Sequence, residues 1–359
     1  MSQKKSVPDQ EKRLLITQGV ISLVLLVTGL LLLQPQGARQ DPTEIKAYNL
    51  MNRSLELISD YCKRYNINQH PELDPRLTGM IGPEWSEITT TTGDLEAKRT
   101  TVNPNFAVLV VRLLRQAGVE PGDTIAINCS GSFPALMVAS ISAAQSLNLV
   151  PRTILSIGSS SFGASNPDFT IADQYRLLQQ AGMINYSPLA WSFGGETDSG
   201  EEFAPEVVSS IRSRMHRFGL SCLEETVLKS IVRERLQLFE GTNSGHLSAF
   251  INTGGSLASM GTSPLILKVK PGLIRRSRLP ERDEQGLIFA MLARDIPVIH
   301  LLYIKGLAKE YHLPWDPIKS PPYQASPAAP GWIILLLALL ALIHFIWILI
   351  RFRLLKNRN

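Results

Sequence analysis

Hydroxyls, a glycine and charges of both signs are packed into the run Thr89-Thr90-Thr91-Thr92-Gly93-Asp94-Leu95-Glu96-Ala97-Lys98-Arg99-Thr100, just ahead of a helix. Such a run suits an anion: Lys98 and Arg99 supply the positive charge, and Asp94 and Glu96 orient or neutralise it. It equally suits a solvated loop with local ion pairs. Four Gly/Ser-rich loops add to it: Asn128-Cys129-Ser130-Gly131-Ser132, the loop Ser159–Gly163 with Ser160 and Ser161, Ser192-Phe193-Gly194-Gly195-Glu196, and Asn252-Thr253-Gly254-Gly255-Ser256. Glycine lets backbone amides approach a ligand, and helix N-termini favour carboxylate or phosphate. Tight strand-to-helix turns need the same glycines on steric grounds alone.

Ser130 and Ser132 sit on one of these turns, where an exposed nucleophile would have room, so they are the candidate catalytic residues. The G-x-S-x-G elbow is absent, however, and a serine hydrolase also needs a base, for which His246 or His300 would have to fold nearby. Helix-capping serines and packed histidines are the competing reading. The chain has no G-x-x-x-x-G-K-[ST] loop, no H-E-x-x-H, no paired C-x-x-C and no G-x-G-x-x-G after a strand. No cofactor and no metal is therefore expected.

The elements that must position these residues alternate. Asp41-Pro42 reads as an N-cap with proline at the first helical position, and Tyr48, Met51, Leu55, Ile58 and Cys62 recur at steps of 3 and 4 as one apolar stripe. Asn103-Pro104 opens a second helix with Phe106, Leu109, Val110, Leu113 and Leu114 inward and Gly118 as its stop. Thr124 to Asn128 then reads as a strand and Pro134 to Leu147 as an Ala-rich helix. The pattern repeats at Thr153 to Ile157 with a helix capped by Thr170 and running to Ala181, at Leu247 to Asn252, and at Val298 to Ile304. Short strands separated by helices predict an α/β fold with a largely parallel, doubly wound sheet and helices on both faces. Ligands of such sheets sit beyond the carboxyl ends of the strands, where strand order reverses, and the four Gly/Ser loops fall there.

Two apolar runs flank this body. Leu14 to Leu33 and Trp332 to Ile350 carry no charge, and each approaches the roughly 20 residues that a helix needs to span a bilayer. They predict two transmembrane helices, with His344 near a membrane boundary or packed on the partner helix. A cleaved signal peptide is the weaker alternative for the first run, because Gln36 suits a cleavage site poorly. Lys4, Lys5, Lys12 and Arg13 precede the first run against Asp9 and Glu11, while Arg351, Arg353, Lys356 and Arg358 follow the second without an acid. The excess of a chain with net charge +5 thus lies in its tails, and the body is close to neutral. This excludes a nucleic-acid-binding body and predicts a cell-membrane localisation with both termini cytosolic. The expected order is a cytosolic tail (1–13), a span (14–33), an extracytoplasmic α/β body (34–313), a Pro-rich linker (314–330) acting as a stiff spacer, a second span (331–350) and a basic cytosolic tail (351–359). Lys268, Lys270, Arg275, Arg276 and Arg278 form a basic run for a polyanion or lipid headgroups, or a solvated patch. Cys62, Cys129 and Cys222 are odd in number, which favours buried free thiols over a disulfide framework.

Four segments in order, Thr89 to Ala107, Ala126 to Leu136, Ser159 to Thr170 and Phe250 to Gly261, resemble the poly-gamma-glutamate system protein family, membrane-anchored proteins associated with bacterial poly-gamma-glutamate synthesis. The resemblance covers most of residues 40 to 320. It implies a bacterial envelope protein whose partners are the lipid bilayer, other synthesis or export subunits and the polyanionic polymer, and it carries over no catalytic residue. The expected role is an accessory one, in which an anionic ligand or polymer binds at the Gly/Ser loops. The alternatives are an extracytoplasmic serine hydrolase or transferase on gamma-glutamyl bonds, acting through Ser130 or Ser132, and a ligand-sensing module whose short tails leave little room for signalling output.

Overall fold

Alternate residues of the central strands feed two separate cores. In β2 (Thr124–Ser130) Ile125, Ile127 and Cys129 enter one apolar cluster and Ala126 the other. Likewise β3 (Val150–Ser156) divides Leu155 from Ile154, and β6 (Leu247–Asn252) divides Ala249 and Ile251 from Phe250. Successive strand residues point to opposite faces, so apolar residues at both parities require a sheet covered on both sides. The computed structural model, which describes residues 16–24, 27, 40–241, 246–325 and 331–356, contains that sheet. Strands β5 (Ala190–Ser192), β3, β2, β6, β8 (Val298–His300) and β7 (Gly272–Ile274) lie side by side in this order. Every neighbouring pair is parallel except the edge pair of β7 with β8, so the fold is α/β with a mixed, mostly parallel sheet. A separate parallel pair joins β1 (Thr89–Thr91) to β4 (Ser159–Ser160).

One face carries α1 (Pro42–Tyr65), α2 (Leu95–Thr101), α3 (Asn105–Ala117), α4 (Pro134–Ser146), α5 (Ile171–Gln180), α6 (Pro205–Arg217) and α10 (Ile304–Glu310), all of which contribute to the first cluster. The other carries α7 (Leu228–Glu240), α8 (Leu257–Met260) and α9 (Leu287–Leu292). The stripe of α1 is buried at Met51, Leu55, Ile58 and Cys62. Gly118 ends α3 in the left-handed region, its N–H bonded to Arg115 O, and Thr170 with Asp173 forms a capping box on α5. From β2 the chain winds outward through β3 to β5, then returns to lay β6 on the opposite side of β2. The strand order therefore reverses between β2 and β6.

The apolar run at 298–304 is not one strand. It leaves β8 at His300, and Tyr303, with φ of 64°, turns it into α10. The three cysteines are free, Cys62 and Cys129 buried and Cys222 half-buried. Burial pushes the Cys62 and Cys129 thiols up to about 12.

The chain divides into two units, 42–324 and 1–41 with 325–359. The Pro-rich stretch is fastened to the first of these as far as Gln324: Tyr48 Oη donates to Pro321 O at 2.8 Å, Asn105 Nδ2 to Pro322 O at 2.9 Å and Tyr323 Oη to Glu44 Oε2 at 3.0 Å. In the second unit α11 (Gly331–Lys356) stacks His344 on Trp347 at 5.8 Å.

The expectation of two transmembrane helices, and with it the cell-membrane localisation with both termini cytosolic, is corrected: among the described residues no helix is long and apolar enough to cross a membrane. Of the first apolar run, only the helical stretch 16–24 and Val27 are described. The remaining positions of the first run lie outside the described residues, as do the tail 1–13 and the end of the basic tail, 357–359.

Candidate functional site

A cavity of about 570 Å³ opens at the reversal of strand order, beyond the carboxyl ends of β2 and β6. Thr90, Thr91 and Thr92 line it from the first hydroxyl run, and Ser130, Ser132 and Phe133 from the turn after β2. Gly158 and Ser160 come from the loop after β3, Gly195 and Glu196 from the loop after β5, and Gly255 to Leu257, Met260 and Gly261 from the loop after β6. Leu302, after β8, closes the set.

Close backbone approaches hold these loops together, and they require glycine. A Cβ on Gly131 would lie 2.4 Å from Ile157 O, and one on Gly254 would lie 2.2 Å from Ser130 Cβ. One on Gly93 would lie 2.5 Å from Ser161 O and 3.2 Å from Ser160 Oγ. The β1–β4 pair adds the register of Thr89 with Ser159 and Thr91 with Ser160, and Ser161 N donates to Thr91 O at 2.9 Å. Gly255 differs from the others: a Cβ there meets only Leu302 Cδ1 at 3.5 Å, an ordinary contact.

Behind the cavity wall lies Lys98, 2% exposed. Its Nζ is 2.6 Å from Ser160 Oγ, bonds to Ser132 O and sits 3.8 Å over the Phe133 ring. Among the described residues it makes no ion pair. Burial strips water from the ammonium and lowers the Lys98 pKa to about 7, while the charge of Asp94 opposes that fall. Ser132 Oγ accepts from Ser160 N at 3.0 Å, and Ser130 Oγ accepts from Ser132 N at 3.2 Å. Lysine and serines thus form one connected cluster, with Ser160 both on the cavity wall and against the amine.

The other charges of the first run do not meet there. Asp94 caps α2 by accepting from Ala97 N at 3.0 Å, Glu96 accepts from Trp315 Nε1 at 2.8 Å, and Arg99 pairs with Asp316. Asn128 donates to Ser259 Oγ at 2.8 Å, and Asn252 to Gly254 O at 2.8 Å. Both asparagines are fully buried at the strand ends. Gly194 takes φ of 76° in the loop after β5. Neither histidine serves Ser130 or Ser132. His300 Nδ1 lies 3.2 Å from Asn252 Nδ2 and burial lowers its pKa to about 4, while exposed His246 precedes the amino end of β6. The basic residues Lys268, Lys270, Arg275, Arg276 and Arg278 are exposed.

Sequence reasoning passed over the support of the fourth wall. Arg235 is fully buried, pairs with Asp198 and donates to Ser192 Oγ at 2.8 Å, and Ser192 Oγ is 2.9 Å from Ser156 Oγ. This network ties the loop carrying Gly195 and Glu196 to the ends of β3 and β5. Its signal is legible in α7, where Arg235 interrupts the stripe Leu228, Ile231, Val232, Leu236 and Phe239. A charge on a core-facing stripe needs a buried partner.

No family model, no curated protein and no solved structure matches this chain.

Proposed function

We propose that this chain is an accessory component of bacterial poly-gamma-glutamate synthesis or export, and that it binds gamma-linked glutamyl chain in the cavity at the strand-order reversal. One observation carries the reading. The four segments that bear the resemblance to the poly-gamma-glutamate system proteins, far apart in sequence, all line the same cavity, through Thr90 to Thr92, through Ser130, Ser132 and Phe133, through Ser160, and through Gly255 to Leu257 with Met260 and Gly261. The lining suits the ligand class. A gamma-glutamyl chain alternates amide groups with carboxylates, and hydroxyls with close-packed backbone can meet both without a fixed row of cations. The N-terminus of α4, with Pro134 at its first position and Phe133 on the cavity wall, adds a favourable end for a carboxylate.

Gly255→Trp is the variant that tests this, because a side chain there enters the cavity without striking backbone. In a host that makes the polymer, it is expected to cut polymer output while the protein accumulates normally. Normal output from a normally accumulating Gly255→Trp chain removes the cavity from the function.

A further inference from the structure

Buried lysines hold a proton poorly, and those without an acidic partner hold it least. Lys98 is such a residue: it lies at 2% exposure with Phe133 under its Nζ and hydrogen-bonding oxygens at Ser132 O and Ser160 Oγ. A structural lysine would be expected to end on a carboxylate or reach solvent. This one ends 2.6 Å from the hydroxyl of Ser160, a residue that lines the cavity. Gly93 packs so closely on both side chains that its own Cβ would lie 3.1 Å from Lys98 Cε and 3.2 Å from Ser160 Oγ. The pair is therefore held from three runs of sequence: the first hydroxyl run and α2, the turn after β2, and the loop after β3.

We propose that Ser160 and Lys98 are a nucleophile and general base, and that the cavity hydrolyses an acyl bond through them. That the bond is a gamma-glutamyl amide rests on the binding role proposed above; the dyad itself does not. Ser160 Oγ attacks the carbonyl carbon and passes its proton to the neutral Nζ of Lys98, giving a tetrahedral intermediate. Collapse breaks the C–N bond, and the Lys98 ammonium returns that proton to the leaving amine. Water then attacks the acyl-serine carbonyl and gives a proton to Lys98 Nζ. Release of the acid breaks the ester and restores Ser160 Oγ–H with the proton held by Lys98. Both protons are accounted for, and water is the only co-reactant. Ser130 and Ser132 have other parts: the Ser132 hydroxyl accepts from Ser160 N at 3.0 Å and its carbonyl accepts from Lys98, so it positions both partners.

The test uses the purified full chain and an alkyl fluorophosphonate, which phosphonylates activated serines, followed by intact mass and peptide mapping. One adduct at Ser160 is expected, with a rate that rises with pH through about 7 as Lys98 becomes neutral. Lys98→Met and Lys98→Arg should each slow the reaction by about 100-fold or more if general-base help is lost, the arginine variant keeping the charge. Circular dichroism checks that each variant is folded. A purely structural Lys98 would leave the wild-type protein unlabelled, and no adduct on folded wild-type protein overturns the proposal. So does an adduct at Ser130 or Ser132 instead, or one whose rate is unchanged in folded Lys98→Arg. Binding of a gamma-linked glutamate oligomer to the wild-type chain is measured alongside. Binding without an adduct removes the dyad and keeps the accessory reading; an adduct without binding keeps the dyad and removes that reading.

Discussion

Lys98 concentrates the chemistry of this chain in one proton. Its folded pKa of about 7 lies below the 10.5 of an ordinary lysine, so between those values the unfolded chain binds more protons than the folded one. Stability is therefore expected to rise with pH from about 7 to 10.5, and this contribution is lost as pH falls through that window. Lys98→Met should flatten that slope, as read from urea midpoints over the same range. His300 acts in the same direction at lower pH. With its pKa at about 4 against the 6.5 of an ordinary histidine, it favours the folded chain increasingly as pH rises across that interval. Asp94 is the second control on the lysine. Asp94→Asn keeps an oxygen that can cap α2 but removes the charge that favours the ammonium. The pH profile of Ser160 labelling is thus expected to move to lower pH, and an unmoved profile would mean that Asp94 does not act on Lys98. Asp94→Ala loses the cap as well, at a cost of about 1 kcal/mol in stability.

At the scale of elements, the cavity is made by strand ends pressed together, and substitutions there sort by what a new side chain would meet. Gly254→Val drives its Cβ into Ser130, so it displaces the end of β2 and is expected to lower stability together with binding. Gly255→Trp fills open space and should lower binding alone, which a thermal melt beside a binding titration will separate. The wall after β5 depends on Arg235 and Asp198, an ion pair with essentially no solvent exposure. Asp198→Ala strands a buried guanidinium, and chemical denaturation is expected to show a loss of about 3–5 kcal/mol.

For the molecule as a whole, the chain after α10 returns to the helices that carry the site. Asp316 pairs with Arg99 on α2 and donates its backbone N–H to Thr100 Oγ1 at 2.8 Å, while Gln324 N donates to Asn105 Oδ1 at 2.8 Å. Asp316→Ala should cost about 1–2 kcal/mol, because it removes a charge-assisted bond on partly covered side chains. Much of this architecture is legible in the sequence. The strands at 124–128 and 247–252, the capped helix at Thr170 and the Gly/Ser turns follow from local periodicity and turn chemistry, and together they place a site at strand carboxyl ends. The charged residues Asp94, Glu96, Lys98 and Arg99 show the limit. As a local run they read alike, yet only Lys98 enters the serine cluster, because partners more than two hundred positions away, Trp315 and Asp316, take Glu96 and Arg99.

Titration calorimetry of the full chain with a gamma-linked glutamate oligomer, set against an alpha-linked oligomer of equal length and charge, tests the central claim most directly. The two ligands share their carboxylates and differ in the spacing of amide and acid along the chain. A cavity built by the four converging segments is expected to bind the gamma-linked oligomer at least about tenfold more tightly, equivalent to about 1.4 kcal/mol, and to lose that preference in Gly255→Trp. Equal affinity for both, or no binding of either by the folded wild-type protein, would contradict it.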